Sequence, residues 1–390
     1  MAEKMTFINP DMLVWAREQS GTTLQQAKNK FGDVITNWES GEDFPTLSKL
    51  RDLGSFYSKP IAVFFFPEPP KLKDIKSSFR TLSSGDEVFG RDIVRCIDWA
   101  RNMQLNLYEI HDDNNPAQNK ITNIDFSNYQ NDISAISSQL RILLKAPIKE
   151  QKEIKKSDEA FEYWRERFLN IGVFVFKNAF KADNVSGFCL YDDEFPIVCV
   201  NNSLAHNRQI FTLFHEVFHL IRRTSGMDFL DDSVISFRSE ADEYNEIEVY
   251  CNRFAGAFLV PDDDFRKNTS NIAINDYSIQ SLADLYSVSR EVILRKFRDS
   301  KKITQQFYEE KVEEYKRDFA RIEKIGVDGK KQGGGNYYAT QMTYVGYNYA
   351  ERVFSKYYER KISLQQLATY MNMKVPSVQQ LVLRKGWGSL

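Results

Sequence analysis

The stretch 210–221 is apolar on nearly every side, yet it holds His215, Glu216 and His219 within five consecutive positions. A helix that is apolar all round belongs in a protein interior. Burying two imidazoles and a carboxylate there is costly without partners, roughly 2–7 kcal/mol for each unsatisfied polar group. A chain with this segment must therefore build a core around it and bring polar partners to it.

The spacing narrows what those partners are. His215 and His219 are i and i+4, one turn apart on one face of a helix, so both imidazoles can bind one metal ion. Glu216 sits beside His215, within reach of a water on that metal. The alternative is a pair of core histidines satisfied by backbone carbonyls. Zinc in a catalytic site takes a third protein ligand and keeps one position open for water. The downstream carboxylates that offer themselves are Asp228, Asp231, Asp232, Glu240, Asp242, Glu243, Glu246 and Glu248. Residues 246–259 predict a helix with Val249, Phe254, Ala255 and Phe258 inward. Glu248 and Asn252 share a face of it at i, i+4, so Asn252 is expected to buttress Glu248. Periodicity favours Glu248 over Glu243 and Glu246 without excluding them.

The chain's 390 residues call for two or three domains, and 42% hydrophobic with 14% aromatic residues supply ample core. With 52 Lys plus Arg against 54 Asp plus Glu, no global charge points to nucleic acid or an anionic membrane. The first twenty residues carry no apolar leader, and the longest apolar run, 61–66, is too short to span a bilayer. Cys96, Cys189, Cys199 and Cys251 lack the close pairing of a zinc ribbon or disulfide scaffold, and read as reduced thiols in a cytoplasmic protein. Cys189 and Cys199 are placed to face each other across a hairpin.

Along the chain, residues 1–59 predict a helix-turn-helix domain of four short helices. Met12, Leu13, Trp15 and Ala16 lie inward on the first, Thr22 and Thr23 cap the second, and the third runs to Ser40-Gly41. The fourth follows Pro45 with Leu47, Leu50 and Leu53 inward. Residues 60–156 read as a linker, pinned by its Phe cluster, and a helical region. Strands are expected at 173–176, 187–191 and 197–200, just ahead of the His-Glu helix, in a metal-binding core spanning 157–265. Residues 266–330 and 336–390 predict helical extensions, each with a helix-tight turn-helix rhythm, separated by Gly333-Gly334-Gly335. The fold class is mainly α with a small β-sheet.

The order His215-Glu216-x-x-His219, Glu248-x-x-x-Asn252-Arg253-Phe254-Ala255 and Phe258-Leu259-Val260-Pro261 resembles the ImmA/IrrE metallopeptidases. Phe211-Thr212-Leu213 is similar to that family's lead-in. Trp15-Ala16-Arg17-Glu18, Trp38-Glu39-Ser40-Gly41, Pro45-Thr46 and the proline-bounded stretch 60–70 resemble its long form, which carries an Xre-type helix-turn-helix in front. The resemblance implies a zincin-like, gluzincin-like domain with Glu248 as the third zinc ligand. It departs at Tyr250-Cys251, where small or charged residues are common, and at Val260, where Met is common; neither position is expected to touch a ligand.

What the resemblance implies is zinc-dependent cleavage of a protein partner, a transcriptional repressor by family analogy. Zinc lowers the pKa of its bound water and polarises the scissile carbonyl, while Glu216 moves the proton. His206 reads as a loop histidine. DNA binding through residues 9–59 would rely on Thr36 and Asn37, since the third helix brings no Lys or Arg to phosphates. A second reading of another class is a DNA-binding regulator, or an antitoxin-like partner of a toxin, whose zinc site is structural or vestigial. The edge of the small sheet is expected to guide an extended substrate beside the metal.

Overall fold

Local capping chemistry sets out the first elements. In the computed structural model, which describes residues 3–57, 59, 61–69, 91–126, 132–181, 185–229, 243–329 and 337–385, Thr23 closes a capping box with Gln26 at the head of helix α2 (Leu24–Phe31). Helix α1 (Asp11–Gln19) precedes it and α3 (Val34–Ser40) follows, ending on Gly41 at φ 78°, a left-handed turn that glycine adopts without a Cβ clash. Helix α4 (Leu47–Tyr57) and a 3-10 turn (Ile61–Phe65) complete the group.

Their core is Leu13, Ala16, Ala27, Ile35, Trp38, Leu50, Leu53, Tyr57 and Phe64. Leu47, expected inward, is 39% exposed in the first turn of α4. Of the Phe cluster only Phe64 is buried, while Phe65 lies on the surface and stacks on Phe7. The Arg17 guanidinium donates to Glu39 at 2.8 Å, which ties α1 to α3.

The chain divides into two compact units, Met1–Asn102 with Phe180–Asp183, and Met103–Ala179 with Asn184–Leu390. Helix α5 (Arg91–Ile110) runs from the first into the second. The second unit then builds α6 (Ile133–Leu143), α7 (Ile148–Glu153) and α8 (Ser157–Asn170) before its sheet. Strands β1 (Phe174–Asn178), β2 (Val185–Leu190), β3 (Ile197–Asn201) and β4 (Gly226–Phe229) lie in the order β1-β3-β2-β4. β1 runs parallel to β3, whereas β2 is antiparallel to both β3 and β4. The first three strands fall where the sequence predicts them. β4 was not expected, because Gly-Met-Asp-Phe is short and lacks the β-branched residues that mark a strand.

Pairing also corrects the cysteine expectation. Phe188 is opposite Cys199 and Cys189 is opposite Val198, so the two thiols are one position out of register. All four cysteines are buried and unbridged.

Between β3 and β4 runs α9 (His206–Ile221), and after β4 comes α10 (Glu243–Leu259). Helices α11 (Asp262–Asn268), α12 (Asp276–Tyr286), α13 (Arg290–Asp299) and α14 (Gln305–Gly329) follow. The tight turn between α12 and α13 passes through Ser287 at φ 55°, and Ser289 caps α13. Beyond them lie α15 (Tyr337–Val345), α16 (Tyr347–Tyr358), α17 (Leu364–Tyr370) and α18 (Val375–Lys385), with Ser363 closing a capping box with Gln366 at the head of α17. Mainly α with one small mixed sheet is therefore the observed fold class, as the sequence predicts. Residues 333–335 fall outside the described residues. No described helix is long and apolar enough to cross a membrane.

Candidate metal centre

Helix α9 is held in the interior by aromatic side chains and by two glycines. Trp164 of α8 meets Phe214 edge-on at 4.9 Å, and Phe214 stacks on Phe258 of α10 at 4.3 Å. Such ring pairs add about 0.5–1.5 kcal/mol each beyond the area they bury. The C-terminal carbonyls of α10 are satisfied in turn: the Arg141 guanidinium donates to Phe258 O, and Gln151 Nε2 donates to Leu259 O at 2.9 Å. On the sheet side, a Cβ at Gly226 would lie 2.3 Å from His219 Cδ2, and one at Gly187 would lie 2.4 Å from Thr212 Cγ2. Both strands thus approach α9 more closely than any side chain allows.

This packing brings α9 and α10 together at four buried donors. His215 Nε2 is 2.9 Å from Glu248 Oε2, His219 Nε2 is 3.3 Å from Glu248 Oε1, and Cys251 Sγ is 3.4 Å from His219 Nε2. One ligand atom from each of the four residues lies within 4.8 Å of every other. His215, Glu216 and His219 are 0% exposed and Glu248 is 1% exposed. His215 Nε2 and both Glu248 oxygens find no hydrogen bond of proper geometry, and neither do the two oxygens of Glu216. Imidazole nitrogens, carboxylate oxygens and a sulfur that converge in a dry interior fit a divalent metal that accepts all three.

The other ring nitrogen of His215 faces Asn252 Oδ1 at 3.2 Å. A proton on Nδ1 donates to that oxygen and leaves the Nε2 lone pair for the centre. Asn252 therefore supports His215 across the helix interface, not Glu248 along its own helix as expected. Neither imidazole is satisfied by a backbone carbonyl, so the core-histidine alternative does not describe this pair.

Charge is concentrated here. Burial pushes the Glu216 carboxyl up to about 7, with His219 and His215 pulling the other way. Burial also opposes ionisation of Glu248, but the facing imidazoles of His215 and His219 overcome it and hold the carboxyl down to about 2. For His215, burial disfavours the cation, yet the negative charges of Asp228 and Glu248 drive its pKa upward. Asp228 itself is engaged elsewhere, accepting from Arg208 at 3.0 Å and Thr212 at 2.9 Å.

Of the carboxylates considered, Glu248 alone among the described ones faces the histidines. Asp228 is held by Arg208, and Glu246 is exposed. Asp231, Asp232, Glu240 and Asp242 lie outside the described residues, as does the side chain of Glu243. Val249, expected inward, is only half-buried, because the face of α10 turned to α9 is Glu248, Cys251, Ala255 and Phe258. Cys251, expected to stand clear of the ligands, belongs to the cluster. Its i, i+3 relation to Glu248 was the available signal. His206 opens α9 nine residues before His215, about 13 Å along the axis. Thr36 and Asn37 are exposed on α3, in the other unit. A cleft lined by Arg208, Phe211, Asn252, Arg253 and Val292 among others opens beside Asn252.

Residues 169–298 match the model of the Peptidase M78 family, the IrrE N-terminal-like domain. This is a metallopeptidase family, and the match, about a third of the chain, holds both histidines, Glu216, Glu248 and Cys251. A comparison with curated proteins finds no match.

Proposed function

We propose that this chain is a zinc-dependent endopeptidase that cleaves a protein partner. His215, His219 and Glu248 hold the metal, Glu216 moves the proton, and Asn252 fixes the His215 tautomer. The observation that carries the reading is the buried convergence of His215, His219, Glu248 and Cys251 from α9 and α10, with the buried Glu216 carboxylate beside it. Zinc bound there supplies Lewis acidity toward a carbonyl and a water of lowered pKa. Glu216, poised near neutrality by burial, accepts the proton of the attacking water and passes it to the leaving amine. β4 is the edge strand beside His219, so an extended peptide can pair with it and lie across the centre.

A protein substrate follows from a peptidase; a transcriptional repressor as that substrate, and a cytoplasmic location, rest on the family resemblance. Residues 9–59 serve as a helix-turn-helix module, and exposed Thr36 and Asn37 on α3 are the side chains it offers to base edges. The test is paired. Glu216→Gln is expected to retain zinc by metal analysis and lose cleavage of candidate repressor proteins, whereas His219→Ala loses both. Full cleavage by Glu216→Gln rules the mechanism out.

The second reading, a DNA-binding regulator or antitoxin-like partner of a toxin with a structural zinc, is favoured by one observation. Cys251 offers a fourth protein donor, and structural zinc sites are closed by four. Gel shift on the chain's own upstream DNA at low salt separates this reading, since absence of binding counts against it.

A further inference from the structure

We propose that Cys251 supplies its thiolate as the fourth donor to the metal, so that the resting centre is closed by the chain itself and the sulfur must leave before the position is open to the water that Glu216 activates. The inference rests on the reading that the centre binds zinc, and goes beyond it by assigning the place that a hydrolytic centre keeps open.

Three observations carry it. The thiol is fully buried, and its Sγ lies 3.4 Å from His219 Nε2, inside the set of donors within 4.8 Å of one another. Zinc bound to nitrogen or oxygen at about 2.0–2.1 Å and sulfur at about 2.3 Å has tetrahedral edges of roughly 3.3–3.6 Å. The separations of 2.9 and 3.3 Å from the imidazoles to Glu248 and 3.4 Å from Cys251 to His219 lie near those edges, and every other pair of the set stays within 4.8 Å. Glu248 and Cys251 are i, i+3 on α10, so both point at α9 from one face, and any ion seated between Glu248 and the histidines lies beside the sulfur. His215 Nε2 and the Glu248 oxygens, buried and without a hydrogen bond of proper geometry, converge on the same point. Thiolate and imidazole together are a donor set that zinc favours.

The shell is read directly by X-ray absorption at the zinc edge of the full-length, zinc-loaded chain. The expected result is one sulfur at about 2.3 Å and three nitrogen or oxygen neighbours at about 2.0 Å. A shell of nitrogen and oxygen alone overturns the inference and leaves the zinc reading standing. A sulfur accompanied by a fifth, oxygen neighbour overturns the closure. Cobalt gives the second measurement: the cobalt-loaded chain should show a sulfur-to-metal charge-transfer band that Cys251→Ser and Cys251→Ala both lose, with zinc affinity at least about tenfold weaker. Persistence of that band in either variant assigns the sulfur elsewhere and overturns the inference, and a chain that binds neither metal overturns this inference together with the zinc reading. Should the variants fail to fold, the absorption spectrum of the unmodified chain decides alone.

Discussion

The His219 ring occupies the space that a side chain at position 226 would need, and this makes a glycine as important to the centre as a ligand. With a Cβ placed 2.3 Å from His219 Cδ2, Gly226→Ala forces either the ring or β4 to move. Overpacking of this kind costs typically about 1–3 kcal/mol. Because the atom displaced is part of a donor ring, zinc affinity is expected to fall at least about tenfold, measured by competition with a chromophoric chelator. Unchanged affinity in a folded variant would show that the ring has room to spare. Asn252→Leu makes the complementary test. It removes the acceptor of His215 Nδ1 while keeping the volume, and should weaken zinc by about 10–100-fold. At this scale the sequence was legible only in part. His215, Glu216 and His219 announce themselves through helical spacing, and Glu248 through its resemblance. Asn252 was given the wrong partner because i, i+4 reasoning sees one helix at a time, while the contact that forms crosses to another. Gly226 carried no pattern at all, since a close approach exists only after β4 has paired.

Elements carry the next level of the argument, and α5 brings a titratable one into the second unit. His111, at its C-terminal end, lies among Phe174 and Phe195, with Nε2 buried and unpartnered. Burial, with Arg352 and Lys356 nearby, lowers its pKa to about 4 from the ordinary 6.5. The group is neutral in both states above 6.5, so it has no effect on stability there. As pH falls through that value the unfolded chain binds the proton first, so stability declines until about pH 4, where the folded state binds it too. Urea midpoints at pH 7.5 and 4.5 should therefore differ less in His111→Phe than in the unmodified chain; an equal difference would remove His111 from the account. The helices and first three strands of this unit could be read from apolar period and caps. β4 could not, and neither could the offset of Cys189 from Cys199, because register depends on which residues the sheet buries.

For the molecule as a whole, the centre is a local conflict that metal resolves. Two imidazoles, two carboxylates and a thiol share one dry space, and burial of that kind opposes folding unless a cation completes it. Zinc held at this centre would bind only the folded arrangement, because α9 and α10 bring the donors together from positions about thirty residues apart. Saturation at a thousandfold over Kd then stabilises the fold by about 4 kcal/mol. For a domain of 150–250 residues each kcal/mol moves Tm by roughly 2–4 °C, and the second unit is larger, so chelation should lower its unfolding temperature by several degrees, at most about 16 °C. Glu216→Gln refines this result. In the metal-free chain it replaces a buried carboxylate with a neutral amide, and should raise Tm while abolishing cleavage. Differential scanning calorimetry of the zinc-loaded and chelated forms of both chains reads all four values. A Tm indifferent to zinc would mean that these donors do not share an ion. A Glu216→Gln chain less stable than its parent without metal would mean that Glu216 is a structural group, and the proton transfer assigned to it would fall with that result.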